Sequence, residues 1–163
     1  MYINPSKIKG KVKISGSKNA GLPIIAASLV TSKKLVLSNV ADISDINNML
    51  AILDKIGCKV KRSKNKIFID SFCNYMPLLF EEVSKFRASY YLMSSYLALF
   101  SNVSIKMPGG CKIGSRPIDF HLEGFKAAGC KVELTDDIIN ISVKELTPFI
   151  SGEFTVSAVK RTR

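Results

Sequence analysis

No apolar run in this sequence approaches the roughly 18 residues that span a bilayer, so a transmembrane protein is not expected. The first residues, Met-Tyr-Ile-Asn-Pro-Ser, lack the basic stretch and apolar core of a secretory leader. Cysteine is scarce and scattered. Cys58, Cys73, Cys111 and Cys130 include no Cys-x-x-Cys pair, which removes zinc-ribbon spacing, and they are too few for a disulfide framework in a chain this long. Reduced thiols in a cytosolic setting are the expectation. The single histidine is His121, and no cluster of His, Cys and acids stands out, so no metal site is read from the residues. Acid is also in short supply: 13 Asp and Glu against 24 Lys and Arg leave a net charge of +11. That balance calls for an anionic partner, unless the lysines, many of which stand singly, are merely solvated. Aromatics interleaved with the basic clusters, which a surface for single-stranded nucleic acid needs, are not evident. On charge alone nucleic acid, a phosphorylated metabolite and an acidic membrane face all stay open.

What is present is a foldable globular composition: 163 residues, 47% hydrophobic and 23% charged, enough for one ordinary domain or two small ones. The chain repeats itself. MLAILDKIGCKVKRSKNKIFID and LEGFKAAGCKVELTDDIINISV share Gly-Cys-Lys-Val, at Gly57 to Val60 and at Gly129 to Val132. Ser44 reads as an N-cap, and Ile46, Met49, Leu50, Leu53 and Ile56 fall at helical spacing. Gly57 then ends that helix, and strands follow at about 59–62 and 66–70 around a turn at 63–65. In the second copy Pro117 suits a first helical turn, with Ile118, Leu122 and Phe125 as the stripe and Gly129 as the stop. Strands are expected at about 131–135 and 138–143 around Asp136-Asp137. Upstream of each copy lie an apolar helix and a strand: 19–30 with 34–40, and a single long helix over 83–100 with 102–107. Residues 1–15 add a leading basic strand with Val12 and Ile14 alternating. The reading is α/β (α+β), two units of helix, strand, helix, strand, strand. Cys58 and Cys130, each after a helix-ending glycine, are expected to fill core positions.

Three short stretches carry charge where a backbone could hold an anion. Lys18 and Asn19 precede a helix start, whose free N–H groups attract anions; on local sequence alone they read equally as a solvated lysine and a capping asparagine. Arg87 opens an apolar helix, and its fork matches phosphate geometry, although a snorkelling surface arginine is the plain alternative. PGGCKIGSRP, residues 108–117, sets Cys111 among glycines 109, 110 and 114, which can turn N–H groups into an anion nest, with Lys112 and Arg116 alongside. Nearby cations lower a thiol's pKa and favour thiolate. His121 lies on the same face as Ile118, Leu122 and Phe125 and is given no catalytic role.

ISGSKNAGLPIIAASL, LSNVADISDINNMLAILDKIGCKV, RASYYLMSSYLALF and PGGCKIGSRPIDFHLEGFKAAG resemble, almost unbroken from residue 8 to about 145, the first segments of the UDP-N-acetylglucosamine enolpyruvyl transferase family, in the EPSP synthase-like superfamily. The resemblance implies an inside-out α/β barrel lobe of repeated βαβαββ units, of which this chain holds about two. It implies a leading strand at 1–17 that belongs to the other lobe, units at 18–82 and 83–145, and the start of a further unit at 146–163. It implies transfer of the enolpyruvyl group of phosphoenolpyruvate to UDP-N-acetylglucosamine, the first committed step of peptidoglycan synthesis. It implies that neither a metal nor an organic cofactor is needed, and that neither nucleic acid nor membrane is a partner. The alternative is a truncated, inactive relative that binds UDP-sugar weakly. The carried-over roles are Cys111 as proton donor, with Lys18, Asn19 and Arg116 on phosphoenolpyruvate. Arg87, Arg116, Pro117, Ile118, Asp119 and Phe120 fall on the sugar nucleotide, with core packing as the plain alternative for Ile118. The general base comes from the second lobe. Val159-Lys160-Arg161 departs from the family pattern, so no contact is carried over to 155–158.

Overall fold

A computed structural model of the chain describes residues 7, 9–31, 33–109 and 118–143. Helix α1 (Lys18–Ser28) runs into a 3-10 turn (Leu29–Thr31) and strand β1 (Lys34–Ser38). Helix α2 (Ser44–Lys55) leads to the hairpin β2 (Lys59–Ser63) and β3 (Lys66–Asp70). A short helix α3 (Glu81–Ser84) and a 3-10 turn (Arg87–Tyr90) precede α4 (Tyr91–Phe100) and β4 (Asn102–Lys106). Helix α5 (Asp119–Ala127) and the hairpin β5 (Lys131–Thr135) and β6 (Ile138–Ser142) complete the described chain.

The duplication read from Gly-Cys-Lys-Val is a duplication of structure. Each unit makes a three-stranded antiparallel sheet, ordered β1-β3-β2 and β4-β6-β5, with the hairpin's second strand in the centre. The helix ends are built alike. Gly57 and Gly129 have φ of +100° and +85°. In each copy the glycine N–H bonds the carbonyl three residues back, and the following cysteine N–H bonds the carbonyl five back (Cys58 to Leu53 and Cys130 to Phe125, both 3.0 Å). This double closure satisfies the last helical carbonyls and turns the chain into its hairpin. A Cβ at either glycine would meet open space, so the cost of adding one is conformational alone. Gly57→Ala and Gly129→Ala are each expected to lower stability by about 1–2 kcal/mol, read as a drop in the urea midpoint.

One face of each sheet is covered by helices and the other looks outward. In β3 Ile67 and Ile69 are buried, and in β6 Ile139 and Ile141, while the residues between them are more open. The helical stripe Ile46, Met49, Leu50, Leu53 and Ile56 is buried, as its spacing requires. Residues of both units belong to a single apolar core, so the copies are halves of one folded body. The Ser95 hydroxyl on α4 donates to the Ala26 carbonyl of α1 at 2.8 Å, tying the two apolar helices together. The connection between units is pinned as well: Leu78, fully buried, exchanges backbone bonds with β4 through Ser104 (2.8 Å) and Lys106 (2.9 Å).

Four expectations need correction. The stretch 83–100 is not one helix. Phe86 adopts an extended backbone (φ −150°, ψ 150°), and the Ser89 hydroxyl donates to the Val83 and Phe86 carbonyls, closing the break. Residues 9–17 form no strand: no neighbouring strand among the described residues offers them a ladder, and Val12 and Ile14 stand exposed. Ser44 is not the cap of α2. It is already the first helical residue, Ile43 is the cap, and no side chain bonds the free N–H groups there. Cys58 is buried as expected, but Cys130 is only partly covered.

Candidate functional site

Among the described residues singled out by sequence, Lys18, Asn19 and Arg87 sit at helix starts. Asn19 in α1 and Arg87 before α4 lie equally far along the chain from the strand that follows, β1 at Lys34 and β4 at Asn102. They are therefore counterparts in the two units. Their surroundings differ.

In the first unit Lys18 is the first residue of α1, and its Nζ lies 2.9 Å from Oδ2 of Asp45 in the first turn of α2. The pair is open to solvent, so it orients the lysine more than it stabilises the fold. Asn19 is exposed beside it and makes no cap, because α1 begins one residue earlier with Ser17 as its cap. Pro23 lies within α1 and has no N–H to give the Asn19 carbonyl.

In the second unit Arg87 is half-buried and lies over the Tyr90 ring, 5.9 Å from its centre. Tyr90 touches two further rings, Tyr91 and His121, each with centroids 4.4 Å away. Burial, then a hydrogen bond with Tyr91, pushes the Tyr90 phenol up to about 12. Burial first, and then the Arg87 charge, push the His121 imidazole below its ordinary value. His121 is thus held neutral near pH 7. An NMR titration is expected to place its midpoint below 6.5, moving upward in Arg87→Gln. The same ring contact brings Arg87 to the start of α5, where Asp119 and Phe120 are exposed and Ile118 is buried. Packing therefore accounts for the Ile118 side chain. Tyr90 was missed by sequence reading, although its position one turn after Arg87 in RASY was a signal.

Cys111, Arg116 and Pro117 lie outside the described residues, as does the tail at 146–163. The residues flanking the cysteine segment are described. Gly109 runs so close to the Ser84 carbonyl oxygen at the end of α3 that any Cβ would overlap it. Its glycine is required by close approach, and it does not have the positive φ of Gly57 and Gly129. On the far side Ile118 is anchored in the core at the entrance to α5. In chain order the segment follows β4 and leads into α5, which carries Asp119, Phe120 and His121. No group of three or more metal-ligating side chains occurs among the described residues.

This architecture, a duplicated helix and sheet unit, is a fold shared with solved enolpyruvyl transferases. The chain is similar to the enolpyruvyl transferase NikO from Streptomyces tendae, with a TM-score of 0.72 and 20% identity over 86% of this chain and 31% of that one. It is similar also to EPSP synthase from Acinetobacter baumannii, with a TM-score of 0.61 and 13% identity over 82% of this chain and 32% of that one. The sequence profile of EPSP synthase (3-phosphoshikimate 1-carboxyvinyltransferase) matches residues 3–159, and the chain belongs to that family. Among curated relatives, the UDP-N-acetylglucosamine 1-carboxyvinyltransferase of Finegoldia magna is 43% identical over 148 residues, covering 90% of this chain and 34% of its own length. The protein of the same description from Pseudothermotoga lettingae is 38% identical over 142 residues, covering 86% and 34%. The chain spans about a third of the length of these relatives. Among the described residues no helix is long and apolar enough to cross a membrane.

Proposed function

We propose that the chain forms part of an enzyme that transfers the enolpyruvyl group of phosphoenolpyruvate to UDP-N-acetylglucosamine. The observation that carries this reading is the identity of 38–43% to transferases of that description over most of the chain, with the cysteine segment and the SKNA helix start both present. The sugar hydroxyl oxygen adds to C2 of phosphoenolpyruvate while C3 receives a proton. The C2–O bond to phosphate then breaks, C3 gives a proton back, and the enol ether forms. Cys111 supplies the first proton. Lys18, Asn19 and Arg116 hold phosphoenolpyruvate. Arg87, Arg116 and the residues Pro117 to Phe120 hold the sugar nucleotide, and the neutral His121 beside Arg87 can give or accept a hydrogen bond without adding charge. The base for the sugar hydroxyl comes from the second lobe. The setting is cytoplasmic, where both substrates are made.

The test is phosphate release with both substrates, from the chain combined with the polypeptide that completes the second lobe. Release that requires both substrates supports the reading. Saturable UDP-sugar binding without release identifies the non-catalytic alternative, and neither binding nor release rejects both. Lys18 gives a finer check. It is shared between Asp45 and the substrate phosphate, so Lys18→Ala is expected to weaken phosphoenolpyruvate binding about 10- to 150-fold, the worth of a charge-assisted hydrogen bond. Asp45→Asn releases the lysine and is expected to tighten binding severalfold. Stability should move by less than about 1 kcal/mol in either variant, because the pair is exposed.

A further inference from the structure

The two sheets share a topology but not an outward face, and each serves as a control for the other. Across β1, β3 and β2 the register aligns Val36, Phe68 and Lys61 as the central outward row. The flanking rows add Lys34 and Lys59 on either side of Asp70, and Lys66 beyond Phe68. Val36 is 56% exposed and Phe68 40%, an apolar pair projecting from a rigid surface. Beside them is a shallow groove of about 280 Å³. None of the four lysines has an ion pair among the described residues.

The second sheet has, in the corresponding central row, Ser104, Asn140 and Glu133. There the Ser104 hydroxyl lies 2.6 Å from the Asn140 amide oxygen, and Lys131 is paired with Glu133 at 2.7 Å. The members of those two pairs satisfy one another, while Lys106 in the end row has no ion pair among the described residues. The equivalent groups of the first sheet are cations without an ion pair among the described residues, or apolar side chains without cover.

We propose that the outward face of the first sheet docks on an anionic lipid bilayer. Charge complementarity favours an anionic surface, since four lysines oppose one acid. A bilayer suits the remaining features best: two adjacent apolar side chains enter the headgroup layer while the lysines around them meet lipid phosphates, the two signals that peripheral attachment requires. A single-stranded nucleic acid would need further aromatics to stack successive bases, and this face has only Phe68. The family resemblance implied no membrane partner, whereas the basic balance of the sequence had left an acidic membrane face open.

The chain has no tryptophan, so Phe68→Trp introduces a unique fluorophore at the centre of the face. With vesicles of equal phosphatidylglycerol and phosphatidylcholine its emission is expected to shift to the blue, with no shift on pure phosphatidylcholine. In co-sedimentation at low salt, Lys34→Gln, Lys59→Gln and Lys61→Gln are each expected to weaken partitioning about fivefold, and added salt to abolish it. Lys131→Gln on the second sheet should have little effect, and circular dichroism checks that each variant is folded. The proposal is overturned by equal binding to neutral vesicles, by an unshifted tryptophan emission from sedimenting Phe68→Trp protein, or by Lys131→Gln acting as strongly as Lys61→Gln. Tighter binding to a single-stranded oligonucleotide than to the anionic vesicles, lost in Phe68→Ser, would reassign the face to nucleic acid.

Discussion

Leu53→Ala is expected to cost about 2–5 kcal/mol of unfolding free energy, the range for deleting a fully buried leucine side chain. Leu53 is completely buried in α2 and belongs to the core shared by both units. Removing its branched end forfeits the transfer free energy of three carbons and leaves a hole that the surroundings close only in part. The cost is a large share of the roughly 5–15 kcal/mol that separates an ordinary domain from its unfolded chain. Because the units share one core, the loss should appear as a single cooperative transition with a lower urea midpoint and an unchanged slope. Leu134→Ala provides the contrast. That residue is 57% exposed on β5, and its replacement should stay within about 0.5 kcal/mol. Two separate transitions in Leu53→Ala, one of them unaffected, would mean that the copies fold independently.

What the sequence made legible was local and periodic. Gly57 and Gly129 announce helix ends because only a residue without Cβ accepts a positive φ at no cost. The stripe from Ile46 to Ile56 announces a buried face because its period is that of a helix. The hairpins after Gly-Cys-Lys-Val could be drawn to within a residue for the same reason. The break at Phe86 was hidden, since residues 83–100 contain neither Pro nor Gly; the break comes from the Ser89 hydroxyl competing for backbone carbonyls, which composition alone does not show. The Lys18–Asp45 pair was also out of reach. Its partners lie 27 positions apart, and only the packing of α1 against α2 brings them together. The Arg87, Tyr90 and His121 stack lay halfway between. Its first two members are one turn apart, but the third arrives from α5.

The duplication also explains how one scaffold supports unlike surfaces. Where the buried faces coincide, the units keep the same device: Gly57 with Gly129, Ile46 with Ile118, Leu50 with Leu122. Where the faces are free of that constraint they diverge. Corresponding helix starts carry an exposed Asn19 in one unit and Arg87 against Tyr90 in the other, and corresponding sheet faces carry Phe68 in one and Asn140 in the other. Function in such a fold is therefore to be sought in the differences between the copies.

Cys111→Ala is expected to reduce turnover by about 10²–10⁴-fold, the contribution of a positioned general acid, while leaving UDP-sugar binding within about twofold. A reference thiol has a pKa of about 8.5. Under the proposed function, Lys112 and Arg116, close to it in sequence, would lower that value in the empty site and favour a nucleophilic thiolate. On that reading a bound phosphoenolpyruvate would bring negative charge, raise the value and restore the protonated form just when C3 needs a proton. The other thiols follow the opposite rule. Burial pushes Cys58 up to about 12 and raises Cys73 and Cys130 too, so these remain protonated and inert. Alkylation by the epoxide fosfomycin should therefore label Cys111 alone, and faster at pH 8 than at pH 6. Phosphoenolpyruvate should slow the labelling both by occupancy and by reprotonating the sulfur. Equal labelling of all four cysteines, or turnover by Cys111→Ala equal to the parent, would remove this residue from the chemistry.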